Sequence, residues 1–440
     1  MGKQEKIKLE DMNEHSQEMI NSEEYLKKAR KQPRYFTRKR KMPFTKLIAF
    51  MLNMIKSSIQ TCLDKFFENL LDFETHMTEQ SFSEARQKIR WEAFQDLFKM
   101  TVQKIYSHGY DKWHGYRVSA IDGSKVQLPD EEALREHFGV LGKNEQAATG
   151  QASALYDVYN NVIMDARLEP MTTDERTLAM QHIDELCKME SFDKECTIFD
   201  RGYASFEMVE TMIERNIHFV MRVRRGFNKE IDALSPGDHY LTLKKNGRQD
   251  IRVRVLKFFL PSDEIEMLIT DIFDTCNECE QSSHAVHANQ LRMGVKAFKE
   301  LYFKRWPIET KYDELKNKLE VENFSGRTVE AVRQDFFITM YMSNIAAVAS
   351  WEAQETIDEI HESKDNKYDY HVNTNHTIGT LKDRFILALL EDNPLLRSKK
   401  IDRILFLVAK HYVPTRPGRS LPRKKSVRKA KFRHNRKSNC

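Results

Sequence analysis

The apolar residues of the first hundred positions recur at intervals of three and four, the spacing that places side chains on one face of a helix. This spacing runs through residues 44–71 and returns in residues 81–100, where Ser83 is the expected N-cap of a second helix. Residues 1–24 are polar and are expected to be loosely ordered. We therefore predict a small helical domain over residues 1–110.

The pattern changes to short apolar strands after residue 116. Residues 117–128 indicate a strand that contains a Gly, and residues 154–170 indicate two strands joined by a turn of two Asn residues. Asp174 is the expected cap of a helix, and residues 195–200 indicate a buried strand. Strands that alternate with helices in this way predict a mixed α/β layer.

Residues 218–273 contain runs of alternating apolar and polar residues, separated by Pro, Gly, Asn and Asp. These runs predict a small antiparallel sheet. Helical spacing returns near Gly294 and continues to about Ile360, and two further helices precede the C-terminal tail.

The net charge of +5 over 440 residues hides two strongly basic segments. Residues 27–46 contain many Lys and Arg and no acid, and residues 411–440 contain eleven Lys or Arg and no acid. Such segments favour a nucleic-acid partner, with a solvated tail as the alternative. The N-terminal helices accordingly fit either a DNA-binding module or a plain helical bundle.

Other features of the sequence exclude several classes of protein. The six cysteines are scattered and indicate no disulfide framework, so a reducing compartment is expected. The apolar run from Leu47 to Ile55 is too short to span a bilayer, and the first forty residues do not resemble a signal peptide, so we expect a cytoplasmic protein without a membrane partner. The chain has no Gly-rich phosphate loop, which argues against a nucleotide cofactor.

Two aspartates end apolar strands. Asp122 is followed by Gly-Ser, and Asp200 is followed by Arg-Gly-Tyr. Asp before Gly is ordinary in turns. Carboxylates at rigid strand ends are also the ligands that Mg²⁺ prefers, and enzymes that cut and join phosphodiesters bring several of them together. Each Asp alone leaves both interpretations open.

Residues 301–318 carry a third acid within a mostly polar set. Tyr302, Arg305, Glu309 and Lys316 lie at offsets that keep four side chains on one face of a helix. This face is not an apolar packing stripe, although an exposed helix with an Arg–Glu pair also explains it. Pro307 requires the helix to begin or kink at that point.

These residues resemble the insertion-sequence transposases that have a DDE catalytic triad and a Y-x2-R-x3-E-x6-K signature, called insertion-sequence family four. Tyr302, Arg305, Glu309 and Lys316 meet that signature without a gap. The segments SAIDGSKVQLP and IFDRGY are similar to the regions that hold the first two aspartates of the family. The resemblance covers roughly residues 35–425.

The resemblance implies an α/β fold with a ribonuclease-H-like core, a five-stranded mixed sheet with flanking helices. The first Asp is expected on the first strand, the second on or just after the fourth strand, and the Glu on a later helix. The long stretch between Asp200 and Glu309 fits the β-rich insertion of this group, assigned to residues 218–290. The remaining predicted domains are the core, residues 111–217 plus 291–350, and a region of C-terminal helices and basic tail, residues 351–440.

By the same resemblance, Asp122, Asp200 and Glu309 hold two Mg²⁺ ions, for which Mn²⁺ can substitute. Arg and Lys suit phosphate binding.

The side chains expected to contact phosphates at the transposon end are Tyr302, Arg305 and Lys316. Trp306 is expected either to wedge against a displaced base or to anchor the helix in the core. Arg201 is a further expected DNA contact.

The implied reaction is cut-and-paste transposition of double-stranded DNA with a hairpin intermediate. The expected partners are the terminal inverted repeats and the target DNA, with a dimer in the DNA complex. The alternatives are a DNA-binding protein that has lost catalysis and a nuclease of the same fold.

Cys276, Cys279, His284 and His287 form a C-x2-C-x4-H-x2-H pattern that resembles a zinc site. The gap between the Cys and His pairs is much shorter than in a zinc finger, so we give this site little weight.

Overall fold

The protein is described by a computed structural model over residues 5–38, 40–142, 147–189, 194–260, 262–273, 293–362, 364 and 366–415. In this part of the chain it is an α/β protein with one large mixed sheet and helices. No helix in these ranges is long and apolar enough to cross a membrane.

The helices, in chain order, are α1 Leu9–Asn21, α2 Glu23–Ala29, α3 Phe44–Leu52, α4 Ile59–Asn69, α5 Glu79–Arg86, α6 Glu92–Tyr106, α7 Glu132–Phe138, α8 Glu175–Lys188, α9 Phe206–Glu214, α10 Lys229–Ala233, α11 Val295–Phe303, α12 Trp306–Asn317, α13 Val329–Glu362, α14 Thr374–Leu389 and α15 Pro394–Lys410.

The strands are β1 Arg117–Gln127, β2 Thr149–Asp157, β3 Val162–Pro170, β4 Glu195–Phe199, β5 His218–Arg222, β6 Gly237–Leu243, β7 Ile251–Phe259, β8 Ile265–Thr270, β9 Tyr370–Val372 and β10 Tyr412–Pro414. The last two form a separate pair.

The large sheet has the order β3-β2-β1-β4-β5-β8-β7-β6. β1 pairs in parallel with β4, and β4 pairs in parallel with β5, whereas the other neighbours are antiparallel. The carboxyl ends of β1, β4 and β5 therefore lie at one edge of the sheet. The five strands from β3 to β5 agree with the mixed five-stranded sheet that the resemblance implies.

The three later strands, β6 to β8, are antiparallel as predicted, but they continue the core sheet because β8 pairs with β5. The predicted insertion begins at residue 218, which is the first residue of β5, so it wrongly includes a strand of the core sheet. Once β5 has paired with β4, its other edge can pair with either a parallel or an antiparallel strand. The sequence pattern alone does not reveal which sheet the later strands join.

The helices near both ends of the chain pack against α13, whose side chains are buried along most of its length. Arg86 of α5 donates hydrogen bonds to Gln334 Oε1 at 2.6 Å and to Asp335 Oδ1 at 2.8 Å. α13 continues through residue 350, so the domain boundary predicted there falls within a helix. Its buried side chains continue past that point, which explains why the helix does not end.

Several helical predictions require correction. Of the segment predicted to be loose, the described residues 5–24 are ordered, because α1 buries Leu9, Met12 and Ile20 in the common core. The pattern in residues 44–71 forms two helices, α3 and α4. Ser83 lies inside α5, whose N-cap is Thr78. The helix expected from Gly294 to Ile360 is three helices, α11 to α13.

The parallel pairing of β1 and β4 is supported by a buried ion pair at the amino ends of the two strands. Arg117 and Glu195 are register partners, and their Nε and Oε1 atoms lie 2.6 Å apart. The Arg117 guanidinium also lies over the Tyr106 ring, 4.2 Å from its centroid. Both side chains are buried, and burial raises the pKa of Glu195 to about 8 although Arg117 acts in the opposite direction, so removal of either residue leaves a buried polar group without this partner.

We expect the substitution Arg117→Met to lower the free energy of unfolding by about 3–5 kcal/mol, because it leaves Glu195 buried and unpaired. The double variant R117M/E195M should recover much of that loss. Chemical denaturation of the three proteins measures both effects, with Lys28→Met, which breaks an exposed pair with Glu24, as a control that should change little. A double variant as unstable as R117M would contradict the role of the ion pair.

Candidate active site

Three carboxylates lie on the elements that the sequence predicted for them. Asp200 follows β4 directly, and Glu309 is in α12. Asp122 lies in the middle of β1, which continues to Gln127 because it stays paired with β2, and not at the strand end that was predicted. In the β1–β4 register Ala120 is paired with Ile198. Side chains two residues apart along a strand point to the same face of the sheet. Two residues beyond Ala120 and Ile198 are Asp122 and Asp200, so the register places these two acids at the same level.

Arg305 connects the carboxylates electrostatically. Its Nη2 donates to Glu309 Oε1 at 3.0 Å, and its Nη1 lies 4.0 Å from Asp122 Oδ2. The guanidinium is mostly buried. Burial alone would lower the pKa of Arg305, but the neighbouring Tyr302, Asp200 and Glu309 raise it above its ordinary value. The guanidinium therefore stays charged and balances part of the negative charge.

Tyr302 and Lys316 also reach this site. The Tyr302 hydroxyl donates to Asp200 Oδ1 at 3.4 Å, and Lys316 Nζ donates to Ser124 Oγ at 2.6 Å and to the Lys125 carbonyl at 2.7 Å. The four signature residues do not share one continuous helix, however. Tyr302 is on α11, and Arg305 caps α12, where Pro307 occupies the first turn. Pro is compatible with that first turn because its missing N–H has no partner there in any helix.

The positively charged groups at the site do not fully offset the negative charge around Asp122. The pKa of Asp122 is raised to about 6, mainly by burial and to a smaller extent by the nearby Glu309 and Asp200, whereas the Gly123 N–H and Arg305 act in the opposite direction. The Gly123 N–H donates to Asp122 Oδ1 at 2.8 Å. A carboxyl group whose charged form is disfavoured in this way gains from an added cation.

The donor chemistry fits a hard divalent cation, because the acids at the site supply only carboxylate oxygens. As they stand, no three carboxylate, His or Cys side chains in the described ranges are gathered closely enough to hold one ion. Arg305 pairs with the carboxylates instead. Its positive charge lies where a cation would interact with Asp122 and Glu309.

Side chains that were not predicted from the sequence donate hydrogen bonds to the backbone of Asp122. The Tyr312 hydroxyl donates to the Asp122 carbonyl at 2.8 Å, and Ser153 Oγ donates to the same carbonyl at 3.4 Å. His182 is fully buried behind Ser153, with Nε2 at 2.9 Å from Ser153 Oγ and Nδ1 at 2.8 Å from Asp165 Oδ2. Tyr312 lies three residues after Glu309 on the same helix, and that spacing was the available signal.

The remaining predicted contacts have different surroundings. Arg201 is exposed beside Asp200. The Trp306 side chain is 50% exposed, which disagrees with an anchor buried in the core. The four Cys and His residues of the zinc pattern, positions 276–287, lie outside the described residues, as does the basic tail from residue 416 onward.

Comparison with known proteins adds a family match. The family model described as "Transposase DDE domain" matches residues 113–345, which include all three carboxylates. The "Putative transposase InsZ" of Escherichia coli K12 is 25% identical over 167 residues, which cover 35% of this chain and 54% of InsZ. The chain thus spans about half the length of that relative.

Two further similarities extend over more of the chain. The "Transposase InsG for insertion sequence element IS4" of the same strain is 22% identical over 326 residues, 70% of each protein. A solved structure of piggyBac transposase in a synaptic complex with hairpin DNA has a TM-score of 0.47 and 11% identity, and the match covers 90% of this chain and 85% of that one.

The contacts of Tyr312 predict that the substitution Tyr312→Phe displaces Asp122, since it removes the stronger hydrogen bond to the Asp122 carbonyl. The longer contact from Ser153 remains, and loss of one hydrogen bond costs about 0.5–1.5 kcal/mol. We expect the rate of DNA-strand cleavage to fall by roughly tenfold or more while DNA affinity is retained. Tyr341→Phe is the matched control, because its hydroxyl donates to Ser16 far from the site. Equal cleavage rates in the two variants would contradict a positioning role for Tyr312.

Proposed function

Because this chain belongs to the DDE transposases of insertion-sequence family four, we propose that it catalyses metal-dependent cut-and-paste transposition of an insertion sequence. The observation that carries this proposal is the grouping of Asp122, Asp200 and Glu309 around the Arg305 guanidinium. Asp122 lies on β1, Asp200 directly follows the adjacent parallel strand β4, and Glu309 is brought to them by α12.

Asp122, Asp200 and Glu309 would hold two Mg²⁺ ions, with Mn²⁺ able to substitute. When bound, such ions activate the attacking oxygen and stabilise the leaving oxygen of a phosphodiester. The carboxylate-only donor set and the raised pKa of Asp122 support this assignment. With the carboxylates' charge balanced by such ions, Arg305 would be available to pair with a phosphate.

The other signature residues would position the DNA. Lys316 lies at the β1 side of the site, where its ammonium group acts as a point charge for a phosphate. Tyr302 orients Asp200 through its hydroxyl. The exposed face of Trp306 is suited to stacking on a displaced base.

The proposed reaction begins with hydrolysis of one strand at the end of the element, which frees a 3′ hydroxyl. That hydroxyl attacks the opposite strand and closes a hairpin on the element end, releasing the flanking DNA. Hydrolysis reopens the hairpin, and the 3′ hydroxyl then attacks target DNA. Both ends must be held together for joining, so we propose a dimer on the terminal inverted repeats.

Replacing Glu309 by Gln should abolish cleavage and leave binding of the element end nearly intact, because the change removes one negative charge and little volume. The measurement is incubation of the protein with a labelled element end, Mg²⁺ and a target plasmid. Asp313→Asn is the matched control, since Asp313 is an exposed acid on the same helix and should be dispensable.

The products of that experiment separate three functions. Joined product from the unsubstituted protein supports the transposase, cleavage without joining indicates a nuclease of the same fold, and binding alone indicates a protein that has lost catalysis. Substantial cleavage by Glu309→Gln would remove Glu309 from the proposed metal site.

The hairpin step has its own test. Element ends cleaved by the unsubstituted protein should migrate on a denaturing gel at twice the length of one strand, because a hairpin joins both strands covalently. Active protein that releases blunt ends, with no such species at any time point, would contradict the hairpin step while leaving the remaining reaction intact.

A further inference from the structure

A cavity of about 260 Å³ lies next to the candidate active site, behind the loop that follows Asp200. Three arginines from different elements line it: Arg176 from α8, Arg201 from the loop, and Arg224 from the segment after β5. No acidic residue is among its lining residues. The cavity therefore gathers three positive charges without a carboxylate in its wall.

These arginines are available to a ligand to different degrees. Arg201 and Arg224 are exposed, and within the described ranges neither guanidinium has a hydrogen-bond or ion-pair partner. Arg176 donates from Nε and Nη2 to the Gly202 carbonyl at 3.2 and 3.1 Å. Arg176 thus fixes the loop that forms one wall, and the other two are left to bind an anion.

We propose that this cavity binds a backbone phosphate of DNA. A volume of about 260 Å³ is below the range of about 300–1,000 Å³ that drug-sized ligands occupy, so a single phosphate group fits better than a whole nucleotide. Guanidinium groups bind phosphate through paired hydrogen bonds. The cavity also borders Ser205, the N-cap of α9, whose N-terminus contributes additional partial positive charge.

The location of the cavity determines which phosphate it can take. Arg201 is adjacent to Asp200, and Arg224 follows the end of β5, whereas Lys316 contacts the β1 side of the site. Because β4 lies between β1 and β5, positive groups flank the carboxylates on both sides. A DNA strand that crosses this edge of the sheet, with its reacting phosphate at the carboxylates, would place a neighbouring phosphate in the cavity.

This inference rests on the proposed function for the identity of the polymer, and two DNA segments offer the same chemistry. One is the flanking DNA that is still attached before cleavage. The other is the target DNA at the joining step. The cavity recognises the phosphate itself, so the two sources are distinguished by the stage at which loss of the contact has an effect.

The first test does not depend on DNA. Inorganic phosphate, added at constant ionic strength, should raise the melting temperature of the unsubstituted protein, and Arg224→Gln should abolish that shift. Arg225→Gln is the matched control, because it removes the same charge from the next residue, which is exposed and does not line the cavity. No shift in the unsubstituted protein, or its equal loss in both variants, would overturn the site.

The second test uses a duplex that carries the element end and its flank. Arg224→Gln should lower the affinity roughly tenfold and reduce the slope of log K against log salt by about 1, as expected for one lost phosphate contact. Arg225→Gln should leave that slope near the unsubstituted value. Equal reductions in the two variants would overturn the proposal, because they indicate only general attraction to DNA.

Neutral methylphosphonate linkages locate the phosphate. At one position, a methylphosphonate should weaken DNA binding by the unsubstituted protein and have little further effect on DNA binding by Arg224→Gln. If that position lies in the flank, the cavity binds a phosphate of the flanking DNA. If it lies in the target strand, the cavity binds a phosphate of the target DNA. Absence of such a position in both strands would overturn the assignment. If phosphate binds the cavity but no DNA duplex binds the protein, the proposed transposase function fails and the anion site remains.

Discussion

β1 and β4 pair in parallel, and the site depends on the register of that pairing. Their register places Asp122 and Asp200 at the same level. The buried Arg117–Glu195 pair links the two strands at their amino ends, away from the acids. A slip by one residue would turn one of the acids to the other face of the sheet. The rigid sheet thus brings together two like charges that would separate if they stood on flexible loops.

The grouping of three carboxylates has to be balanced by positive charge, and the chain provides this in two ways. Arg305 lies among the carboxylates and pairs with Glu309. Lys316 on one side, and Arg201 with Arg224 on the other, lie at the rim of the site. A site arranged in this way attracts a polyanion to its rim and a cation to its centre, which is the combination that phosphodiester chemistry requires.

The sequence was sufficient for the elements that carry the acids, because apolar runs that end in Asp122 and Asp200 are strong local signals. The face shared by Arg305 and Glu309 was also predictable from spacing. The break between α11 and α12 was foreseeable from Pro307 alone. The contacts of His182 and Ser153 were not, because they join residues from different elements. Arg224 was missed for the same reason: its cavity exists only after β5 joins β4.

We propose that Asp122, Asp200 and Glu309 bind metal jointly beside the reacting phosphate. The most direct measurement is the number of Mn²⁺ ions bound per protomer in a complex with an element-end duplex, counted by electron paramagnetic resonance. The account predicts two ions per active site in the unsubstituted protein and a reduced number in Asp200→Asn. An unchanged number of bound ions in that variant, at unchanged DNA occupancy, would contradict it.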